Sequence, residues 1–215
     1  MATVSDHQST AGDITAADLA ELARLGSATV HEAADRIGAL PSAIKPVDPR
    51  WAVAGPAFPV STPPVNNVYI HDALYAAPAG SILVVATGDG FEAGYWGEIL
   101  SHAAVQRGMA AAVIDGGVRD AKRLCDQGFP VFSRGLCIQG TGKQRGAGTL
   151  GQPVRIGDVT ISQGDLVVGD CDGVVVIPAG SERQVMTEAA AREAKETEIL
   201  QRLSQGETSL DIYGF

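Results

Sequence analysis

Apolar residues recur at helical spacing near the start of the chain. The spacing of Leu19, Leu22 and Leu25 predicts an amphipathic helix that begins near Thr15, and Gly26 separates it from a second helix over residues 29–37. We expect the preceding residues, 1–12, to be a mobile polar tail, because they are small and polar and contain no apolar run.

Downstream, apolar runs alternate with segments of helical pattern. Runs rich in Val, Ile and Leu predict strands over residues 52–59, 81–87, 110–115 and 130–133. The segments between them predict helices over residues 67–77, 95–107 and 121–127. Such alternation is typical of α/β layers.

The last third of the chain changes again, to short strands separated by Gly-Asp and Asp-Gly turns. Strands over residues 154–156, 159–162, 166–170 and 173–177 predict a small antiparallel unit. A closing helix then runs to about Ser204. Since the chain contains no linker rich in Pro, Gly and Ser, we expect one α/β domain over residues 13–215.

Composition narrows the class of protein. The 215 residues carry a formal net charge of −9, which argues against a nucleic-acid-binding surface. The three cysteines lack CxxC spacing, which is typical of reduced thiols rather than of a thiolate metal site. No apolar run is long enough to span a membrane. We therefore expect a cytoplasmic protein that binds neither nucleic acid nor membrane.

Two glycine-containing segments carry the candidate chemistry. Gly97-Glu98-Ile99-Leu100 lies at a predicted helix start, where free N–H groups attract anions. Asp115-Gly116-Gly117-Val118-Arg119-Asp120 follows a buried strand, at the sheet edge where ligands usually bind. Together they could hold a carboxylate beside a hard metal ion. The alternatives are a surface turn with an ordinary charge pair and, for Glu98, an acid that compensates the helix dipole. Asp89 fits a plain loop residue better than a ligand.

Other candidates have weaker patterns. His31 lies early in the second helix, where a lone histidine is more often structural. Lys143 follows Gly-Thr-Gly but lacks P-loop spacing, so by itself it is a surface lysine. Glu193 and Glu196 fit a solvated face of the closing helix. His71 shows no partner pattern.

The combined motifs resemble the class II pyruvate aldolases, whose type member is 4-hydroxy-4-methyl-2-oxoglutarate/4-carboxy-4-hydroxy-2-oxoadipate aldolase, a relative of the regulator of ribonuclease activity A. The resemblance covers nearly the whole chain beyond the tail. It implies an α/β/α layered sandwich resembling the phosphohistidine swivelling-domain fold, with N-terminal helices and a long C-terminal helix. The segments that carry it are Gly97 to Leu100, Val113 to Asp120, Pro130-Val131-Phe132, Ala28 to Ala33, Gln139 to Lys143, Gly164-Asp165, Asp172 to Val175 and Leu210 to Tyr213.

The resemblance also implies a site. Asp120 would ligate Mg²⁺ or Mn²⁺ directly, and Glu98 would act through a water bound to that ion. Arg119 would neutralise the enolate oxygen, and backbone N–H groups at Gly97 and Leu100 would hold the pyruvyl carboxylate. Glu98 and Ile99, between them, are further substrate-binding candidates.

More distant positions complete that implied site. His31 and Lys143 match positions that bind the distal end of the substrate. A carboxylate of the closing helix would act as acid or base in the site of a neighbouring subunit. Glu196 is the better match for it, and Glu193 remains an alternative.

The activity implied is cleavage of a 4-hydroxy-2-oxo acid to pyruvate and a second 2-oxo acid, with oxaloacetate decarboxylation as a side reaction. The assembly implied is a homotrimer or homohexamer with sites at the subunit interfaces. One alternative is a non-catalytic regulator that binds a ribonuclease or helicase. The other, a phosphohistidine carrier domain, requires a histidine that residues 164–176 lack.

Overall fold

Two short helices open the structure, a computed structural model that describes residues 14–215. The side chains and backbones of Thr15 and Asp18 bond reciprocally, which begins α1 (Ala16–Leu25) as a capping box. Gly26, at φ +83°, turns the chain into α2 (Ser27–Ala33). This second helix is shorter than predicted, because Asp35 and Arg36 adopt left-handed backbone conformations, at φ +54° and +60°.

The remaining elements follow the predicted alternation. The further helices are α3 (Val68–Ala76), α4 (Glu98–Gln106), α5 (Ala121–Gln127), α6 (Glu182–Ser204) and α7 (Ser209–Tyr213). The strands are β1 (Lys45–Pro46), β2 (Val53–Ser61), β3 (Ile82–Ala86), β4 (Gly94–Trp96), β5 (Ala111–Val118), β6 (Val131–Leu136), β7 (Thr149–Leu150), β8 (Val154–Ile156), β9 (Val159–Ile161), β10 (Leu166–Gly169) and β11 (Val174–Ile177).

Nine of these strands form one mixed sheet in the order β1-β6-β5-β3-β2-β10-β11, with β4 added beside β5 and β7 beside β2. The strands β2, β3, β5 and β6 run parallel, and β10, β11 and β1 are antiparallel to their neighbours. The other two strands, β8 and β9, form a separate hairpin. The prediction of one small antiparallel unit is therefore wrong for β10 and β11, which join the main sheet through β2.

The segment before β1 nearly closes the sheet into a barrel. Leu40 donates to Val174 O at 2.9 Å and Val176 donates to Gly38 O at 2.9 Å, so residues 38–40 pair with β11. The same segment continues into β1, which pairs with β6 at the opposite edge. A Cβ at Gly38 would lie 2.1 Å from Val176 O, so only glycine allows this approach.

Both faces of the central strands are buried. In β3, Ile82 and Val84 pack in one apolar cluster, whereas Leu83 and Val85 pack in the other, as the two-residue period of a strand requires. Helices α3, α4 and α5 cover one face, and α1, α2 and α6 pack against the β10–β11 end. The predicted α/β class with N-terminal helices and a long C-terminal helix is confirmed. Within residues 14–215, no helix is long and apolar enough to cross a membrane.

Candidate active site

A short strand that sequence analysis missed brings the two glycine segments together. Residues 95 and 96 were predicted as the start of a helix, but with Gly94 they form β4, which pairs in parallel with the end of β5. The N–H of Arg119 donates to Trp96 O at 2.9 Å. The first turn of α4 and the Arg119-Asp120 pair therefore lie side by side.

The carboxylate of Asp120 lies against the start of α4. Asp120 precedes α5 in a left-handed conformation, at φ +61°, which is uncommon for a residue other than glycine. Its Oδ2 accepts the N–H of Glu98 at 3.1 Å and lies 3.9 Å from Arg119 Nε. The side chains of Arg119 and Asp120 remain 47% and 41% exposed, so both are accessible to a ligand.

Two glycines permit this close approach. A Cβ at Gly97 would lie 2.5 Å from Asp120 Oδ2 and 3.2 Å from Arg119 Cγ. A Cβ at Gly94 would lie 2.5 Å from Cys137 O and 3.2 Å from Arg119 Cδ. Gly97 has extended backbone, so it is needed for space rather than for its torsion angles.

These groups line a cavity of about 210 Å³ at the carboxyl end of the parallel strands. The structure thus brings together most of the predicted site residues, namely Gly97, Ile99, Leu100, Arg119, Asp120 and Lys143. Five further lining residues were not predicted, namely Asn67, His71 and the three residues of β4, Gly94, Tyr95 and Trp96. Asn67 and His71 come from the start of α3, and the paired amides Asn66-Asn67 before a helical pattern were the available signal.

Two cations, Arg119 and Lys143, line the cavity, although the protein as a whole carries a negative net charge. The Nζ of Lys143 donates to Asn67 Oδ1, and burial, followed by the nearby charge of Arg119, lowers the pKa of this lysine. Burial, followed by the charge of Lys143, also lowers the pKa of His71, which favours its neutral form. A cavity lined by two cations, one carboxylate and a neutral imidazole suits a small anionic ligand.

Other predicted residues lie outside this cavity. The exposed side chain of Glu98 does not line it, although its N–H contacts Asp120. Asp115 is buried in an ion pair with Arg134 at 2.6 Å, and burial raises the pKa of Asp115. Asp89, in a left-handed turn, also lies away from the cavity lining.

His31 and the closing-helix glutamates form a second group on α2 and α6, which pack together. His31 lines a separate cavity that also contains Asp172. Glu196 pairs with Arg192 at 2.9 Å, and Arg192 also lies 3.5 Å from Glu32, beside His31. Within one chain, therefore, these residues do not contact the Arg119–Asp120 cavity.

Glu193, the alternative to Glu196, is already engaged. Both of its carboxylate oxygens accept hydrogen bonds from Arg24 on α1, at 2.7 and 2.6 Å. The Glu196 side chain is 46% exposed and pairs within its own helix. Glu196 is thus the freer of the two carboxylates.

Comparison with known proteins agrees with the motifs. The family model described as RraA-like, Aldolase/RraA, matches residues 2–176. A protein of Halalkalibacterium halodurans with the provisional name 4-hydroxy-4-methyl-2-oxoglutarate aldolase is 34% identical over 185 residues, 86% of this chain and 87% of that protein.

Two solved structures share the fold. An uncharacterised protein of Pseudomonas syringae has a TM-score of 0.78 and 31% identity, over 91% of this chain and 96% of that one. RraAS2 of Streptomyces coelicolor, described as an unusual member of the RNase ES inhibitor RraA family, has a TM-score of 0.74 and 28% identity, over 88% of this chain and 100% of that one.

Proposed function

The chain belongs to the RraA-like family, which includes both aldolases and ribonuclease regulators, and we propose that this member is a divalent-metal-dependent aldolase. Its substrate is a 4-hydroxy-2-oxo acid, such as 4-hydroxy-4-methyl-2-oxoglutarate or 4-carboxy-4-hydroxy-2-oxoadipate. Cleavage gives pyruvate and a second 2-oxo acid. Oxaloacetate decarboxylation follows as a side activity, because loss of CO₂ generates the same pyruvate enolate.

The observation that carries the proposal is the constellation of Gly97, Arg119 and Asp120. A guanidinium and a carboxylate are held beside the free N–H groups of a helix start, in a cavity of the size of a small acid. Fixed charges of this kind stabilise the charge that develops in a transition state.

The residues present fit a hard divalent cation. The hydrogen bond and the ion pair of Asp120 both use Oδ2, so within the described residues Oδ1 is available as a ligand. Mg²⁺ is commonly bound by one or two carboxylates together with water. When bound, Mg²⁺ or Mn²⁺ would act as a Lewis acid on the 2-oxo group of the substrate.

Different groups of the protein then bind different parts of the substrate. The guanidinium of Arg119 neutralises the oxygen of the enolate as the carbon–carbon bond breaks. The N–H groups of Ile99 and Leu100, which lack intrahelical acceptors, hold the pyruvyl carboxylate. Lys143, with His71 beside it, faces the distal carboxylate.

Self-association would complete the site. We propose a homotrimer or homohexamer in which the closing helix of one subunit brings Glu196, near His31, to the cavity of another. Two groups of exposed apolar side chains support a subunit contact. Ile99 and Ile138, 77% and 93% exposed, flank the cavity region, and Phe215, 90% exposed, ends the chain beyond α7.

The rival function is a non-catalytic ribonuclease regulator, favoured by the similarity to RraAS2. A lactate-dehydrogenase-coupled assay distinguishes the two, with 4-hydroxy-4-methyl-2-oxoglutarate and oxaloacetate as substrates, in Mg²⁺ or Mn²⁺ and in excess EDTA. We expect pyruvate release that EDTA abolishes and added metal restores. The absence of pyruvate from every 4-hydroxy-2-oxo acid tested would favour the regulator.

A further inference from the structure

Tyr95 joins two loops through its phenol although its ring is fully buried. The hydroxyl accepts the N–H of Val65 at 2.7 Å and donates to Gly90 O at 2.6 Å. Burial raises the pKa of Tyr95, so the phenol stays protonated and able to donate. The ring therefore fixes residues 65 and 90 with respect to β4.

The residue held by this phenol is in a strained conformation. Val65 has φ +56°, in the left-handed region that a β-branched side chain adopts only under constraint. Its carbonyl accepts the N–H of Gly142 at 2.8 Å, so the position of Val65 also sets that of the Gly142-Lys143 loop. Loss of the Tyr95 hydrogen bond would let Val65 relax to a negative φ and displace both segments.

The backbone of Tyr95 also fixes Asn67, which in turn binds Lys143. Its carbonyl accepts Nδ2 of the buried Asn67 at 2.9 Å, and Oδ1 of Asn67 accepts Nζ of Lys143. The next residue of β4, Trp96, accepts the N–H of Arg119. One short strand thus spans the distance between Lys143 and Arg119.

We propose that Tyr95 is a positioning residue that sets how far Lys143 lies from the Arg119–Asp120 pair, and thereby selects 2-oxo acids by the place of their distal carboxylate. The effect of Tyr95 on substrate selection rests on the proposed function, whereas its effect on the position of Lys143 can be tested without it. Tyr95 lines the cavity, but no contact with the reacting atoms is assigned to it. It acts through Val65 and Asn67.

The structural test is a pH titration of Lys143 in lysine-¹³C-labelled protein, followed by NMR. In the native protein we expect the Lys143 pKa below the ordinary lysine value. In Tyr95→Phe it should rise towards that value, because the released side chain moves away from the charge of Arg119 and from the cavity wall. An unchanged Lys143 titration in Tyr95→Phe would overturn the proposal.

Two variants at position 65 test whether Tyr95 positions Lys143 through Val65. Val65→Asn tolerates the left-handed conformation and should return the Lys143 pKa of the Tyr95→Phe protein towards the native value. Val65→Pro removes the N–H and fixes φ near −65°, so it should displace Lys143 without altering the buried ring. Failure of both variants to act in these directions would refute the role of Val65. Tyr75→Phe, at a 68% exposed tyrosine, is the matched control.

The substrate test compares cleavage of 4-hydroxy-4-methyl-2-oxoglutarate with exchange of the pyruvate methyl protons into D₂O, which needs no distal group. We expect the ratio of kcat/KM for cleavage to the exchange rate to fall about tenfold in Tyr95→Phe, mainly through KM. An equal fall in both reactions would overturn the proposal. If the native protein catalyses neither reaction, the proposed function fails, while the Lys143 titration still decides the positioning role.

Discussion

Replacement of Gly97 by alanine tests the geometry of the site without removing any of its charges. The added methyl group would lie 2.5 Å from Asp120 Oδ2, whereas ordinary van der Waals contact begins at 3.4 Å. Alanine tolerates the extended backbone of this position, so the change introduces no torsional strain. The carboxylate must therefore move away by about 0.9 Å.

The magnitude follows from that displacement. A misplacement of about 1 Å in a catalytic group can lower turnover by about 10²-fold. The same movement breaks the 3.1 Å hydrogen bond between Glu98 N–H and Asp120 Oδ2. Loss of this cap to α4 should reduce the free energy of unfolding by about 1 kcal/mol. We therefore expect a large loss of kcat with a small loss of stability.

The assay is pyruvate release at saturating metal, together with thermal unfolding. Gly140→Ala is the matched control, because a Cβ at Gly140 would meet no atom within 4 Å and its φ is not in the left-handed region. It should keep near-native kcat. A Gly97→Ala protein with native kcat would show that the close approach to Asp120 is unimportant, and would remove the main support for the site.

Further substitutions distinguish charged residues needed for activity from those needed for stability. Asp120→Ala should abolish both pyruvate release and Mg²⁺ binding measured by calorimetry, whereas Asp126→Ala, at an exposed carboxylate of the next helix, should change neither. Arg119→Ala should lower kcat by several orders of magnitude with an unchanged circular dichroism spectrum, and full activity would exclude Arg119 from the mechanism. Arg134→Met should lower the free energy of unfolding by about 3 kcal/mol at pH 7, because it leaves the buried Asp115 carboxylate unpaired. Burial raises the pKa of Asp115, so its charged form is the costly one in the folded protein. The deficit in urea unfolding should therefore shrink as the pH falls through this raised pKa towards the ordinary pKa of aspartate, and a pH-independent deficit would contradict the assignment.

The sequence was sufficient for elements whose signal is local. The predicted start of α1 differs from the observed start by one residue. The strand predicted over residues 81–87 extends one residue beyond β3 at each end. It was insufficient for β4, because three buried residues that continue into a helix carry no separate pattern. A strand that short exists only through its pairing with β5, which is a contact distant in sequence.

The same distinction applies to the site. Arg119 and Asp120 could be predicted because one motif contains both. Asn67 and His71 lie far from this motif in the sequence, and only the packing of α3 brings them to the cavity. Asp115 was grouped with the motif, yet β5 continues to Val118, so Asp115 belongs to the strand and pairs with Arg134 instead. Motif membership therefore does not decide which side chains face a ligand.

The separation of Glu196 from Asp120 within one chain gives the sharpest test of the proposed assembly. If each site takes Asp120 from one subunit and Glu196 from the next, Asp120→Ala and Glu196→Ala chains can complement each other when they are co-expressed. In a randomly mixed ring with head-to-tail contacts, about a quarter of the sites receive both native residues and should restore about that fraction of native kcat. Each variant expressed alone should be inactive or nearly so. Because a site built within a single chain would never contain both residues in such a mixture, activity no higher than that of the separate variants would refute the shared site.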